Sequence, residues 1–362
     1  MIDLIYLCIP MVKNIQHQHS QIWFGTDLSE KLNDILKSDF SNCKKIIITD
    51  ETVFDLWIEN LISSTEELHD AEIIQLSAGE DQKTIEICYQ VWESLSDYKI
   101  GRKDLIINFG GGVITDMGGF IASTFKRGLN FINIPTTLLS QVDASVGGKT
   151  GVDLGPFKNQ IGVFANPKHV FIDNKYLTTL NEIELKSGFA EMLKHGLIAN
   201  KKHWDNLTQI NEITVASVSP FIYDSVQIKH QIVELDPTEK NGRKSLNFGH
   251  TVGHAFEGFL LQAGSLAPHG FAVAWGMVIE AELSDQLPTA SVHKIKTEIK
   301  NRYSICPISK SSIPELLDLM KNDKKNENEN INFTLLSQIG ESIINQNVES
   351  EKLSQVLNDY LA

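Results

Sequence analysis

One stretch limits the fold of this chain more than any other. Residues 104–109 read Asp-Leu-Ile-Ile-Asn-Phe, Gly110-Gly111-Gly112-Val113-Ile114-Thr115-Asp116 follow, and Met117-Gly118-Gly119-Phe120-Ile121-Ala122 come next. A short apolar run of β-branched residues bounded by glycine is a strand buried on both faces, as in parallel sheets covered by helices. The apolar residues after the turn predict a helix. Glycines at such a strand-to-helix turn let backbone N–H groups approach a pyrophosphate at the positive end of the helix. The spacing is not the G-x-G-x-x-G fingerprint of an ordinary dinucleotide site. It is a different glycine-rich turn governed by the same physics, and a purely structural turn is the alternative.

Other strands of the same kind surround it. Residues 22–36 predict a short strand and then an amphipathic helix. Residues 44–50 end in Thr49-Asp50, a polar tip on a buried parallel strand, where α/β sheets place their ligands. Asp50 there suits a ribose hydroxyl or, alternatively, caps the next helix. Residues 73–76 form a further strand, followed by Glu80 and Lys83, three apart before a helix and able to grip an adenosine. Residues 131–138 form a strand that presents Thr136 and Thr137, and residues 170–173 the last clear one. Beyond it the pattern turns helical, at 185–199, around 225–233 and at 271–287, with one short strand expected at 331–336. At 362 residues two domains are expected, 1–177 and 178–362.

A formal net charge of −14 excludes a broad basic face for nucleic acid. If the substrate is an anion, cations must then be gathered locally. Arg127, Lys149 and Lys158 fall close together beside glycine turns. The segment Gly147-Gly148-Lys149-Thr150-Gly151 lacks the upstream glycine of a Walker A loop. The four cysteines, Cys8, Cys43, Cys88 and Cys306, are scattered and read as reduced thiols of a cytoplasmic protein. The apolar run 4–12 has no basic leader, so a signal peptide is not expected, and no apolar stretch is long enough to span a bilayer.

The second half carries Ser245 to Glu257, S-L-N-F-G-H-T-V-G-H-A-F-E. His250 and His254, four apart on a helix, face one way and can bind a divalent metal. The zinc-protease pattern would need Glu at 251, where Thr251 stands. His269 follows in Pro-His-Gly, and Glu191 lies upstream on an apolar helix. Catalytic zinc takes three protein ligands and keeps one position open. Glu191, His250 and His269 make such a set and leave His254 for substrate. Satisfied core histidines are the alternative. Asn247, His250 and His254 are expected to form one helical stripe, and Lys194 to share a helix face with Glu191.

Together, four ordered segments resemble the 3-dehydroquinate synthase family. They are G-G-G-V-I-T-D at 110–116, I-P-T-T-L-L-S-Q-V-D-A-S-V-G-G-K-T-G at 134–151, G-F-A-E-M-L-K-H at 188–195 and L-N-F-G-H-T-V-G-H-A-F-E at 246–257. The resemblance implies an α/β, Rossmann-like NAD-binding domain, an all-α C-terminal domain, an active site in the cleft between them, and a homodimer. It implies Glu191, His250 and His269 as ligands of zinc or cobalt. It places Asp50, Glu80, Lys83, Gly111, Gly112, Val113, Ile114, Thr115, Asp116, Thr136, Thr137 and Thr178 along NAD, with Lys149 and Lys158 between cofactor and substrate. Arg127, Asp143, Asn159, Lys194, Lys229, Arg243, Asn247, His254 and Lys324 match substrate contacts, with Lys324 on a polar loop at 322–330 that could act as a lid. Departures are the segment leading to Arg243, D-P-T-E-K-N-G-R, longer than the family's acidic run, Phe271 where Glu is usual after His-Gly, and Thr115 in place of a frequent Gly.

The implied substrate is a small sugar phosphate of the shikimate pathway, 3-deoxy-D-arabino-heptulosonate 7-phosphate. Its phosphate and carboxylate would account for basic residues in an acidic chain. Lys149 and Lys194 are expected to meet developing charge, and His254 to handle a proton. Three alternatives stand beside this reading: a related cyclase making another ring, a metal-dependent polyol dehydrogenase, and a non-catalytic relative.

Overall fold

Alternate residues of the strand Lys45–Asp50 serve two different cores. Ile47 joins one apolar cluster with Leu105, Ile107 and Phe109, while Ile46 and Ile48 join a second with Ile106. That period-two division is what a strand covered on both faces requires. It explains why the run is isoleucine throughout rather than alternating with polar residues.

The structure is a computed structural model that describes residues 12–16, 20–155, 157–321 and 331–361. Lys324 with the stretch 322–330, Cys8, and residues 4–11 of the N-terminal apolar run lie outside the described residues. The chain divides into two compact units. One comprises Met1–Thr137, Gly148–Val152 and Asn159–Thr179, and the other Leu138–Gly147, Asp153–Lys158 and Leu180–Ala362. The segments 138–147 and 153–158 thus group with the later part of the chain, not with their sequence neighbours.

The strands up to residue 173 are β1 (Lys13–Gln16), β2 (Gln21–Gly25), β3 (Lys45–Asp50), β4 (Glu72–Leu76), β5 (Leu105–Gly110), β6 (Asn130–Pro135), β7 (Lys149–Leu154), β8 (Phe157–Phe164) and β9 (His169–Asp173). Among the described residues, one sheet runs in the order β1-β2-β9-β6-β5-β3-β4. Its pairings are parallel except β1 with β2. The chain passes from β3 outward to β4, then returns to the other side of β3 as β5. The strand order therefore reverses between β3 and β5, the switch point where such sheets open a crevice.

Helices α1 (Ser29–Asp39), α2 (Glu51–Val53), α3 (Glu59–Ser63), α4 (Ile85–Asp97) and α5 (Gly112–Thr124) accompany this sheet. Leu32, Leu36 and Leu61 pack with the first cluster, and Val91, Leu95, Met117 and Ile121 with the second, so the sheet is covered on both faces. Helix α5 lies tight on β5, because a Cβ at Gly118 would sit 2.0 Å from Asn108 Oδ1.

Strands β7 and β8 form a separate two-stranded ribbon. Lys149, expected on a glycine-rich loop, begins a strand instead. The glycines are there because the backbones nearly touch: a Cβ at Gly151 would lie 2.5 Å from the Ile161 carbonyl oxygen, and one at Gly162 2.4 Å from that of Thr150.

The second unit is built from α6 (Glu182–Ala199), α7 (Lys201–Thr208), α8 (Val215–Leu235), α9 (His250–Gln262), α10 (His269–Glu282), α11 (Thr289–Arg302), α12 (Ile313–Lys321) and α13 (Ser350–Tyr360). One antiparallel hairpin, β10 (Ile331–Gln338) with β11 (Glu341–Val348), joins them where one short strand was expected. Among the described residues, no helix is long and apolar enough to cross a membrane.

Candidate metal centre and anion-binding residues

Helix α6 is buried nearly end to end, which is why its sequence lacks a clean polar face. Asn181 caps it by accepting from Glu184 N at 2.9 Å. Glu191 and Lys194, one turn apart, are both buried and form an ion pair. They share a helix face as expected, and the pair is internal, not at the surface. Neither oxygen of Glu191 accepts a hydrogen bond of ordinary geometry.

Helices α9 and α10 pack face to face through glycine. A Cβ at Gly276 would fall 2.0 Å from the Gly249 carbonyl oxygen. Gly249 opens α9 in the left-handed region (φ +81°) and has no side chain with which to cap it. Glu280, fully buried on α10, does so instead: Gly249 N donates to its Oε2 at 2.6 Å and Val252 N to its Oε1 at 3.2 Å. The left-handed break at Gly249 also separates Asn247 from the helix. Asn247 ends a 3-10 turn, Gly242–Asn247, so the expected stripe through Asn247, His250 and His254 holds for the two histidines only.

The three expected ligands meet. One ligand atom each from Glu191, His250 and His269 lies within 4.8 Å of the other two. His250 Nε2 is 3.5 Å and His269 Nε2 3.6 Å from Glu191 Oε1. The far nitrogens are tethered, His250 Nδ1 lying 3.1 Å from the Phe248 carbonyl oxygen and His269 Nδ1 3.2 Å from Glu257 Oε2. His254 stands beside them with its ring centre 5.2 Å from that of His250. Burial would raise the Glu257 carboxyl, yet the His269 ring, then His254 and Lys158, hold it down at about 2. Burial would conversely lower His269, yet Glu257 and Glu191 push it up to about 10.

A second buried group lies in the same unit. Lys229 Nζ donates to the carboxylate of Asp143. His195, fully buried on α6, has Nδ1 2.8 Å from Ser225 Oγ and Nε2 3.8 Å from Asp143 Oδ1. Arg243 is buried, and its Nη1 donates to the Pro237 carbonyl oxygen at 2.7 Å. The longer segment before Asn247 is organised by Asp236, which accepts from the backbone N–H groups of Lys240, Asn241 and Arg243. Its Glu239 accepts from Asn247 Nδ2 at 2.8 Å. Phe271, where Glu is usual, meets the Tyr303 ring edge-on at 5.2 Å.

In the first unit the expected cofactor residues line the strand tips. Asp50 ends β3 and caps α2, its Oδ1 accepting from Val53 N at 3.0 Å. Gly111 is the N-cap of α5 and offers no side-chain cap, so Gly112, Val113 and Ile114 form an open first turn. A Cβ at Gly111 would approach Thr137 Cγ2 to 3.1 Å. Thr115 Oγ1 bonds back to the Gly112 carbonyl, and Thr136 is buried just beyond β6.

Glu80 begins a 3-10 turn ahead of α4. Lys83 is buried and donates to Asp116 Oδ2 at 2.6 Å and Asn159 Oδ1 at 2.7 Å, rather than standing at a solvated helix start. Thr178 Oγ1 bonds to the Lys175 carbonyl. Arg127 and Asn159 are exposed and in the left-handed region (φ +70° and +51°). Lys149 is exposed on β7 and Lys158 half-buried on β8.

Glu257 and Glu280 were not singled out in the sequence. Glu257 falls three residues after His254 and seven after His250, on the same helix face, and that spacing was a usable signal. Glu280 carries none, because its partner is thirty-one positions away.

Residues 73–187 match the family described as 3-dehydroquinate synthase N-terminal, and residues 188–326 the one described as 3-dehydroquinate synthase C-terminal. A 3-dehydroquinate synthase of Parabacteroides distasonis is 40% identical over 339 residues, covering 92% of this chain and 96% of its own. A solved 2-deoxy-scyllo-inosose synthase, complexed with carbaglucose-6-phosphate, NAD+ and Co2+, has a TM-score of 0.84 at 24% identity, over 97% of this chain and 100% of that one. A 2-epi-5-epi-valiolone synthase of Streptomyces hygroscopicus with NAD+ and Zn2+ bound has a TM-score of 0.83 at 23% identity, over 96% and 98% of the two chains. At those identities the two structures share this chain's fold.

Proposed function

This chain belongs to the 3-dehydroquinate synthase family, and from that premise we propose how its residues carry the reaction. The reaction turns 3-deoxy-D-arabino-heptulosonate 7-phosphate into 3-dehydroquinate and phosphate, and makes the enzyme a phosphate-eliminating carbon–oxygen lyase. The observation that carries this assignment is the meeting of buried Glu191 and His250 with half-buried His269. One carboxylate and two imidazoles with tethered outer nitrogens are a donor set for zinc or cobalt. The buried Glu191 oxygens, without ordinary hydrogen bonds, are what such an ion would satisfy. Bound there, a divalent cation supplies polarisation of substrate hydroxyls and favours their ionised form.

NAD fits the first unit. The uncapped first turn of α5 offers N–H groups to a pyrophosphate at the switch point of the sheet. Asp50, Glu80, Lys83, Asp116, Thr136, Thr137 and Thr178 are assigned to hold the rest of the dinucleotide. The chemistry a bound NAD supplies is reversible acceptance of one hydride from the C5 alcohol.

The protein's own contributions are binding, orientation and proton handling. Lys229, Arg243, Asn247 and Asp143 are assigned to substrate in the second unit, as is Lys324 outside the described residues. Arg127, Asn159 and Lys149 are assigned to substrate in the first unit, with Lys158 from the second. Lys149 and Lys194 place positive charge where negative charge develops. The His254 imidazole contacts a substrate hydroxyl and moves its proton, and the substrate phosphate serves as base for its own elimination. We also take the enzyme to be a cytoplasmic homodimer, which light scattering on the purified chain tests.

The experiment is chelator dialysis followed by addition of zinc or cobalt, NAD and the heptulosonate phosphate, with phosphate release and NADH absorbance followed together. Metal-dependent phosphate release without net NADH, and 3-dehydroquinate as product, is the expected result. Another carbocycle as product moves the chain to a related cyclase. NADH accumulating from a simple polyol, with no phosphate released, overturns the assignment.

A further inference from the structure

We propose that Glu257 is a positioning residue that fixes the tautomer and aim of His269 as a metal ligand. The inference rests on the metal reading above and goes beyond its three ligands. Glu257 is a buried carboxylate on α9, one turn beyond His254. Its two oxygens lie 3.3 and 3.2 Å from His269 Nδ1. A carboxylate only accepts, so Nδ1 carries the proton of that pair and the lone pair of the neutral ring sits on Nε2. Nε2 is the atom that faces Glu191, at 3.6 Å. The ring is thereby strung between two carboxylates, one that orients it and one that shares its metal.

His250 makes the comparison internal to the site. Its Nδ1 meets a carbonyl oxygen, also an acceptor only, and its Nε2 again faces Glu191. Both imidazoles are thus held in one tautomer by partners of different charge. The neutral carbonyl only orients its ring. The carboxylate also makes its ring more electron-rich, the usual effect of an outer carboxylate on a ligating histidine. Glu257 is fixed by the helix that carries His250, so the ligand from α10 is registered against the ligand from α9. His254 and Lys158 also face Glu257. A service to His254 alone is the outcome that the test must separate.

The test is titration of the metal-free full-length chain with Co2+ and Zn2+, read by calorimetry and by the visible cobalt bands, for wild type, Glu257→Gln and Glu257→Asp. The Gln variant is expected to bind both metals about 10- to 100-fold more weakly at unchanged stoichiometry, with a shifted cobalt spectrum. Asp, which keeps the charge on a shorter arm, is expected to recover part of the affinity. Nitrogen-15 histidine spectra of the zinc-loaded wild type, with His269→Gln identifying the signal, are expected to show His269 protonated at Nδ1. They decide the question even if the Gln variant does not fold.

Gln binding within threefold of wild type, or His269 bound to metal through Nδ1, overturns this inference alone. Wild type that takes up no metal overturns the metal reading and this inference with it.

Discussion

Lys229 places its Nζ 2.7 Å from the carboxylate Oδ1 of Asp143 and 2.7 Å from that residue's own carbonyl oxygen. The amine is 7% exposed and the carboxylate 23%. Burial alone would raise the Asp143 carboxyl, but Lys229 and then Lys194 hold it well below its ordinary 3.8. A depressed carboxyl contributes stability that is complete above its unfolded value and lost as pH falls through the folded one. Lys229→Met is therefore expected to cost about 3 kcal/mol at pH 7, because it leaves a largely buried carboxylate without its cation. The difference from wild type should shrink below about pH 4 as Asp143 takes up a proton. Urea unfolding at pH 7 and pH 3 measures both numbers, and a pH-independent difference would show that the loss is packing and not charge.

Lys83 joins a residue assigned to the cofactor, Asp116, to one assigned to substrate, Asn159, since its amine bonds both. Lys83→Met removes the charge and both bonds while keeping most of the stem. The expected result is an NAD dissociation constant raised about tenfold, equivalent to ~1.4 kcal/mol, with metal affinity unchanged. Fluorescence titration of NAD checks it, and an unchanged constant would make Lys83 a purely structural strut.

What was legible in the sequence, and what was not, divides along physical lines. The strands 44–50 and 104–109 could be read because burial on both faces forces apolar residues at every position, and the sheet built from β3 and β5 bears this out. The proposed ligand set could be picked out because a metal site takes about three protein donors, and Glu191, His250 and His269 are donors of that kind which the fold brings within reach of one another. The β7–β8 ribbon was hidden, because close backbone contact at Gly151 and Gly162 needs glycine, which reads as loop. Asn247 was misplaced on the helix because nothing in Asn-Phe-Gly-His says that Gly249 adopts a positive φ. Glu280 was invisible because its task, capping a helix that opens on glycine, is set by a contact between helices far apart in sequence.

Gly270 tests how tightly the ligand-bearing helices must approach. A Cβ there would lie 2.0 Å from the Ser187 carbonyl oxygen, and Gly270 N donates to Ser187 Oγ at 2.9 Å. Helix α6 carries Glu191 and α10 begins with His269, so any relief of that clash moves one proposed ligand from the other. Gly270→Ala is expected to cost about 2–3 kcal/mol and to weaken zinc binding. Ser187→Ala, which loses the hydrogen bond without the clash, should cost about 1 kcal/mol and leave zinc affinity intact. Thermal melts and metal titration of the two variants separate the effects. Equal zinc affinity in both would mean that the helices can part without disturbing the ligands.

His254 separates proton handling from metal binding, because it stands next to the three proposed ligands without being one of them. Its ring centre lies 5.2 Å from that of His250 and 6.1 Å from that of His269. The proposed ligand set is complete without it. Removing a positioned acid–base group typically costs a factor of about 100 to 10,000 in rate. His254→Ala is therefore expected to bind one zinc with near wild-type affinity and to release phosphate at least about 100-fold more slowly, mainly through kcat. His254→Gln should restore part of the substrate affinity through its amide but not the rate, since the amide cannot take up a proton at neutral pH. Unchanged turnover in the Ala variant would remove His254 from the proton transfer. Lost zinc together with lost turnover would instead make it a fourth support of the metal site.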